Sequence, residues 1–110
     1  MIIKTKLIPK GFQAMSLWPF ILVLPEQSSN TGLIEHELVH YCEQAWVTPI
    51  WWLRYLCSKS FRQAAEVRAY KRQIEVGGIS EIGAAAMLLN YNLGITFEEA
   101  LSQFNYQKVG

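Results

Sequence analysis

Residues 35–44, EHELVHYCEQ, hold both histidines of the 110-residue chain, four positions apart, with a glutamate directly after the first. On an α-helix, positions i and i+4 share one face a turn apart, so His36 and His40 can direct their imidazoles at a single ion. His-Glu-x-x-His on a helix is the pattern in which two histidines bind Zn²⁺ and the glutamate, here Glu37, serves as general base toward water. The reading requires a helical context and a third ligand.

The flanking sequence predicts the helix. Asn30 or Thr31 is placed to cap it, and the apolar pattern carries it to about Trp46. At 100° steps His36, Glu37, His40, Glu43 and Gln44 share one side, while Ile34, Leu38, Tyr41 and Ala45 form an apolar side opposite. Such a helix is expected to be central, with its polar stripe lining a cleft.

Ahead of it the chain reads as β. Ile2 to Ile8 alternates, and Pro9-Lys10-Gly11 supplies a turn before Phe12 to Trp18, which predicts a hairpin. Phe20 to Leu24 is a continuous apolar run ended by Pro25 and suits a buried strand. Behind it the chain reads as helical. Pro49, with Thr48 as cap, opens one helix. Ser60-Phe-Arg-Gln63 opens another that ends at Gly77-Gly78, and Ser80 and Thr96 cap two more. The expected fold class is α+β: a small N-terminal antiparallel hairpin or sheet, then about four to five α-helices.

Composition narrows the function. A length of 110 residues suits one domain, 1–110, with a real core. The formal net charge of +1 provides no electrostatic footprint for nucleic acid. Cys42 and Cys57 make neither a CxxC pair nor a disulfide framework, so buried reduced thiols in a cytoplasmic protein are expected. Lys4, Lys6 and Lys10 precede the apolar run 16–24, but prolines bracket that run and no small-x-small site follows it, so it reads as structure and not as a signal peptide. The Trp46–Cys57 cluster contains Arg54 and Pro49 and falls short of the ~20 residues that span a bilayer. It suits a buried core helix; contact with a membrane surface is the alternative.

The third ligand must come from elsewhere. The chain has no third histidine and no aspartate, so all nine acidic residues are glutamates. Glu35 points away from the histidine face, and Glu43 lies roughly 10 Å along the axis from His36, which suits a cleft rim. On the helix from Phe61 to Val76, Arg68, Lys71, Arg72 and Glu75 mark the solvent face, which turns Glu66, Ala69, Tyr70 and Gln73 inward. A buried ionised carboxylate needs a metal or a cationic partner. Zn²⁺ would satisfy Glu66; the competing partners are Arg54 and Arg62.

HExxH followed by a helix-borne glutamate is similar to the gluzincin arrangement of zinc metallopeptidases. The runs Leu17–Ile21, His36–His40 with Gln44, Trp51–Leu56 and Glu66–Tyr70 resemble small HExxH proteins of bacteria and phages. The resemblance covers roughly residues 12–70 and implies a minimal zincin-like fold, peptide hydrolysis and a peptide or protein substrate. These 110 residues are not expected to build the large second subdomain of full-size gluzincins.

The expected site is therefore His36, His40 and Glu66 on Zn²⁺, with Glu37 as general base. Tyr70, one turn from Glu66, either donates to an oxyanion or is a core tyrosine. Gln44 is a candidate to support a ligand from behind. The competing class is a zinc-stabilised binding protein without turnover.

Overall fold

The computed structural model describes residues 1–9 and 12–105. A three-stranded sheet at the N-terminus is followed by five helices, an α+β fold. The strands are β1 (Ile2–Lys4), β2 (Ala14–Leu17) and β3 (Phe20–Val23), in the order β1-β3-β2. The helices are α1 (Thr31–Gln44), α2 (Thr48–Cys57), α3 (Lys59–Glu75), α4 (Glu81–Leu88) and α5 (Phe97–Asn105).

The hairpin forms one strand later than the sequence pattern suggests. β2 pairs antiparallel with β3 around Trp18 and Pro19, whereas β1 runs parallel to β3 on its other side. Extension beyond Lys4 stops because the Thr5 hydroxyl accepts from the Leu7 amide at 3.0 Å and bends the chain. Lys10 and Gly11 of the expected turn lie outside the described residues. The apolar run at β3 takes the central position, where both edges of its backbone are paired. Ala14, Ser16, Ile21 and Val23 are buried on one sheet face, and that face packs on α1.

Helix ends follow local chemistry, with two shifts in register. Asn30 caps α1 by accepting from the Leu33 amide at 3.1 Å. Ser80 caps α4, and Thr96 and Glu99 form a reciprocal capping box at α5. Thr48 is not the cap of α2; its hydroxyl donates to the Trp18 carbonyl at 3.2 Å, and Val47 holds the cap position without a side-chain bond. Ser58, not Ser60, caps α3, because one residue separates α2 from α3 and Ser60 is already helical.

α1 is inverted relative to the usual amphipathic logic. Its buried residues are Gly32, His36, Glu37, His40 and Gln44, while Ile34, Leu38 and Tyr41 are only half-buried. Cys42 and Cys57 are both exposed, contrary to the expectation of buried thiols: Cys42 lies off α1's polar inward face and Cys57 ends the outward side of α2. The core helix expected at Trp46–Cys57 is buried only at Trp51 and Tyr55. Two apolar clusters hold the remaining helices. One joins Val67 and Tyr70 of α3 to Ala84, Leu88, Ala100 and Phe104, and the other joins Trp51 and Tyr55 to Ala65. Among the described residues no helix is long and apolar enough to cross a membrane.

A glycine pair sets how closely α1 approaches the end of α3. α3 stops in a Schellman motif: Gly77 takes φ 78°, the Gly78 amide donates to the Gln73 carbonyl at 2.9 Å, and the Gly77 amide donates to Ile74 at 3.0 Å. A Cβ on Gly32 would sit 2.6 Å from the Gly78 Cα, and a Cβ on Gly78 equally close to the Gly32 Cα. Only two glycines permit that crossing, one turn from His36 on α1. Gly32→Ala is therefore expected to destabilise the fold by about 1–3 kcal/mol, because backbone and not a flexible side chain must move. A thermal melt checks it: the midpoint should fall by several degrees, and an unchanged midpoint would mean that the helices do not cross this closely.

Candidate metal centre

α1 and α3 pack side by side and bring His36, His40 and Glu66 together. The three are 2%, 4% and 3% exposed. Glu66 Oε1 lies 3.1 Å from His36 Nε2, and its Oε2 lies 3.2 Å from His40 Nε2. One ligand atom from each residue can be chosen so that all lie within 4.8 Å of one another. The carboxylate thus faces both imidazole Nε2 atoms at once, and all three residues are almost wholly withdrawn from bulk water.

Such a cluster needs positive charge at its centre. His36 Nδ1 lies 3.0 Å from Gln73 Oε1, an acceptor, so Nδ1 carries the hydrogen and a neutral His36 presents a lone pair at Nε2 to Glu66. A lone pair facing a carboxylate is repulsive unless a proton or a metal ion lies between them. His40 makes the same point more strongly. Its Nε2 is close to Glu66 but not aligned for a hydrogen bond, and neither of its buried ring nitrogens has a hydrogen-bond partner. Burial disfavours a charged His40, yet the Glu66 carboxylate, helped by Glu43 and Glu37, overrides burial and raises its pKa to about 10. Burial likewise opposes ionisation of Glu66, and the two histidines reverse it, holding the carboxyl well below the usual range. An N,N,O donor set converging on one point, with an orphaned imidazole, fits a divalent cation.

Glu37 stands beside this set and not within it. Ser16 Oγ of β2 is 2.8 Å from Glu37 Oε1 and 2.7 Å from the Glu37 carbonyl, which leaves Oε2 as the uncommitted oxygen. Oε2 lies 4.0 Å from His36 Nε2. Glu37, His40, Glu66, Ser16, Trp51 and Trp52 all line one cavity of ≈ 40 Å³. That is room for one to three waters, bounded by carboxylates and indoles.

The arginines considered for Glu66 are engaged elsewhere. Arg62 donates to the carbonyls of Tyr55 and Tyr91 at 2.8 Å, and Arg54 stacks over the Phe61 ring at 4.4 Å. Glu43 stays at the rim, paired with Arg68 at 2.6 Å, with its Oε1 3.8 Å from His40 Nδ1. Tyr70 packs its ring edge-on against His36 at 4.2 Å between centroids, and its hydroxyl bonds that of Tyr91 at 3.0 Å. Of these two tyrosines, Tyr91 is the one that lines the cavity. Gln44 does not touch a ligand. Its Oε1 accepts from the Trp18 amide and its Nε2 donates to the Ser16 carbonyl, both at 2.8 Å, which fastens α1 to the hairpin.

Three residues of the centre carried no assigned role in the sequence. Tyr55 donates to Glu66 Oε2 at 2.5 Å; burial and the adjacent carboxylate push its pKa up, so it remains a donor. Its position one turn beyond Trp51 on the inward face of α2 was the available signal. Gln73 was already on the inward face of α3, but its bond to His36 depends on how α1 crosses α3. Ser16 offered only a small polar residue in an apolar strand.

Glu66→Gln is expected to weaken divalent-metal binding by more than the ~10–100-fold typical of a residue that supports a ligand from behind, Gln73→Leu to fall within that range, and Glu43→Gln to have the smallest effect. Metal titration of the three variants decides it. Equal losses, or the greatest loss at Glu43, would mean that Glu66 is not the third ligand. No protein-family model, no curated protein and no solved structure matches the chain.

Proposed function

We propose that the chain is a zinc-dependent peptidase in which His36, His40 and Glu66 hold Zn²⁺ and Glu37 handles the proton. The supporting observation is that Glu37 lines one pocket with His40 and Glu66, with its Oε2 4.0 Å from His36 Nε2 and outside the close contacts of the three residues. Two histidines and a glutamate are a donor set of catalytic zinc sites that keep a fourth position open. When bound, zinc supplies a Lewis acid that polarises a carbonyl and makes water nucleophilic near neutral pH.

The chain's own residues do the rest. Glu37 accepts a proton from water at Oε2 and delivers it to the leaving amine, a transfer that needs the carboxylate within reach of both. The Ser16 hydroxyl at 2.8 Å from Oε1 keeps that carboxylate from rotating. Gln73 holds His36 in the tautomer with Nε2 free, and Tyr55 restrains Glu66 Oε2. Tyr70 does not line the pocket, so the oxyanion role expected of it would pass to Tyr91, whose hydroxyl is 3.0 Å from that of Tyr70. The arrangement resembles that of gluzincins, with a peptide or protein as substrate.

The cavity's size supports a second reading. A space of ≈ 40 Å³ admits water but not a peptide, so turnover requires the pocket to widen. Where it stays this narrow, the same residues make a zinc-stabilised binding protein. One substitution separates the two. Glu37→Gln should keep stoichiometric zinc, and for the peptidase it should cost the ~10²–10⁴-fold typical of a general base. A peptide-library digest at neutral pH, with wild type and variant at equal zinc occupancy, gives the answer. Cleavage undiminished by the substitution would remove Glu37 from the mechanism, and no cleavage by either protein would favour the binding protein.

A further inference from the structure

The outward side of α2 is apolar along its whole length. Ile50, Leu53 and Leu56 are 60%, 63% and 69% exposed, at a spacing that keeps them on one face, and Trp46 just ahead is 86% exposed. On the opposite face Trp51 lines the pocket beside the candidate metal centre, and Tyr55 donates to Glu66. Trp46 sits at φ 65° in the turn closed by the Val47 amide on the Gln44 carbonyl, a position that favours glycine. A bulky residue there gains contact with Trp18 and leaves most of its indole in water. Strain held without burial points to a partner outside the chain.

Charge says what kind of partner. Residues 45–65 contain no acidic residue although the chain has nine, Arg54 on α2 and Lys59 just beyond it are exposed, and Glu43, which lies beside Ile50, is paired with Arg68. A second copy fits this face poorly. A standard protein interface engages about 20–30 residues a side, and this face is a few side chains on one ten-residue helix. Like charges from two copies would also meet at its border. A lipid surface needs neither shape complementarity nor large area. It takes tryptophan at headgroup depth and aliphatic side chains just below, and cations beside them meet anionic headgroups.

We propose that the outer face of α2, led by Trp46, seats on an anionic bilayer surface, with the helix lying in the interface. At ten residues α2 is about 15 Å long and does not span. The proposal is independent of the peptidase reading, since it rests on the face turned away from the metal centre.

Vesicle co-sedimentation of the full chain tests it, with phosphatidylcholine alone and with phosphatidylcholine plus phosphatidylserine. Binding should be tighter to the anionic vesicles. Ile50→Ser with Leu53→Ser should weaken it at least about tenfold, and Trp46→Ser should act in the same direction. Arg54→Gln or Lys59→Gln should each cost about fivefold on anionic vesicles only. Ile82→Ser, at a residue 64% exposed on α4, should change nothing. Melting temperatures near wild type identify the variants that remain folded. No binding to phosphatidylserine vesicles overturns the proposal, as does equal loss with Ile82→Ser. A solution dimer that the double variant splits, with no vesicle binding by wild type, would show instead that a second copy covers the face.

Discussion

The carboxylate of Glu66, buried between two imidazoles, is the constraint around which the chain is arranged. An ionised carboxylate at 3% exposure is costly unless charge and hydrogen bonds replace the water it loses. Here one oxygen faces His36 and the other faces His40 and Tyr55. The groups that compensate it come from α1 and α2, so three helices must meet at one point. Removing the positive charge from that point, whether proton or metal, would leave an uncompensated anion in the middle of the protein.

That demand explains why α1 turns its polar side inward. A helix normally buries its apolar stripe, and α1 has one in Ile34, Leu38 and Tyr41. The other side is buried instead because three of its four polar side chains have hydrogen-bond partners: Gln73 for His36, Ser16 for Glu37, and the Ser16 and Trp18 backbone for Gln44. Buried polar groups with partners stiffen an interior and specify its register, since a slip would orphan several of them together. His40 is the exception, without a hydrogen bond at either ring nitrogen. An orphan inside an otherwise satisfied network is where a ligand belongs.

α2 works on both of its sides. Its inner residues Trp51 and Trp52 line the pocket beside the candidate metal centre, and its outer residues are apolar and exposed, so one helix separates the two. Whatever binds the outer face therefore lies close to the residue that restrains Glu66, with Tyr55 as the nearest connection.

Local rules in the sequence determined the His36, His40 and Glu66 donor set and the helix framework. HExxH at helical spacing aligns His36 and His40 whatever surrounds them, the charged stripe on α3 turns Glu66 and Gln73 inward by periodicity alone, and Asn30, Gly77, Ser80 and the Thr96–Glu99 box act within a few residues of themselves. Only the tertiary structure decided the rest, because it depends on pairs far apart in the chain. The parallel pairing of β1 with β3 joins segments about twenty residues apart, and no pattern within either strand encodes it. The inward turn of α1's polar face, the exposure of α2, and the contacts of Ser16 with Glu37 and Tyr55 with Glu66 all follow from which surfaces meet. A sequence states what each face of a helix offers; what that face encounters is settled by packing, here by two glycines that let α1 cross α3 closely enough for His36 to meet Gln73.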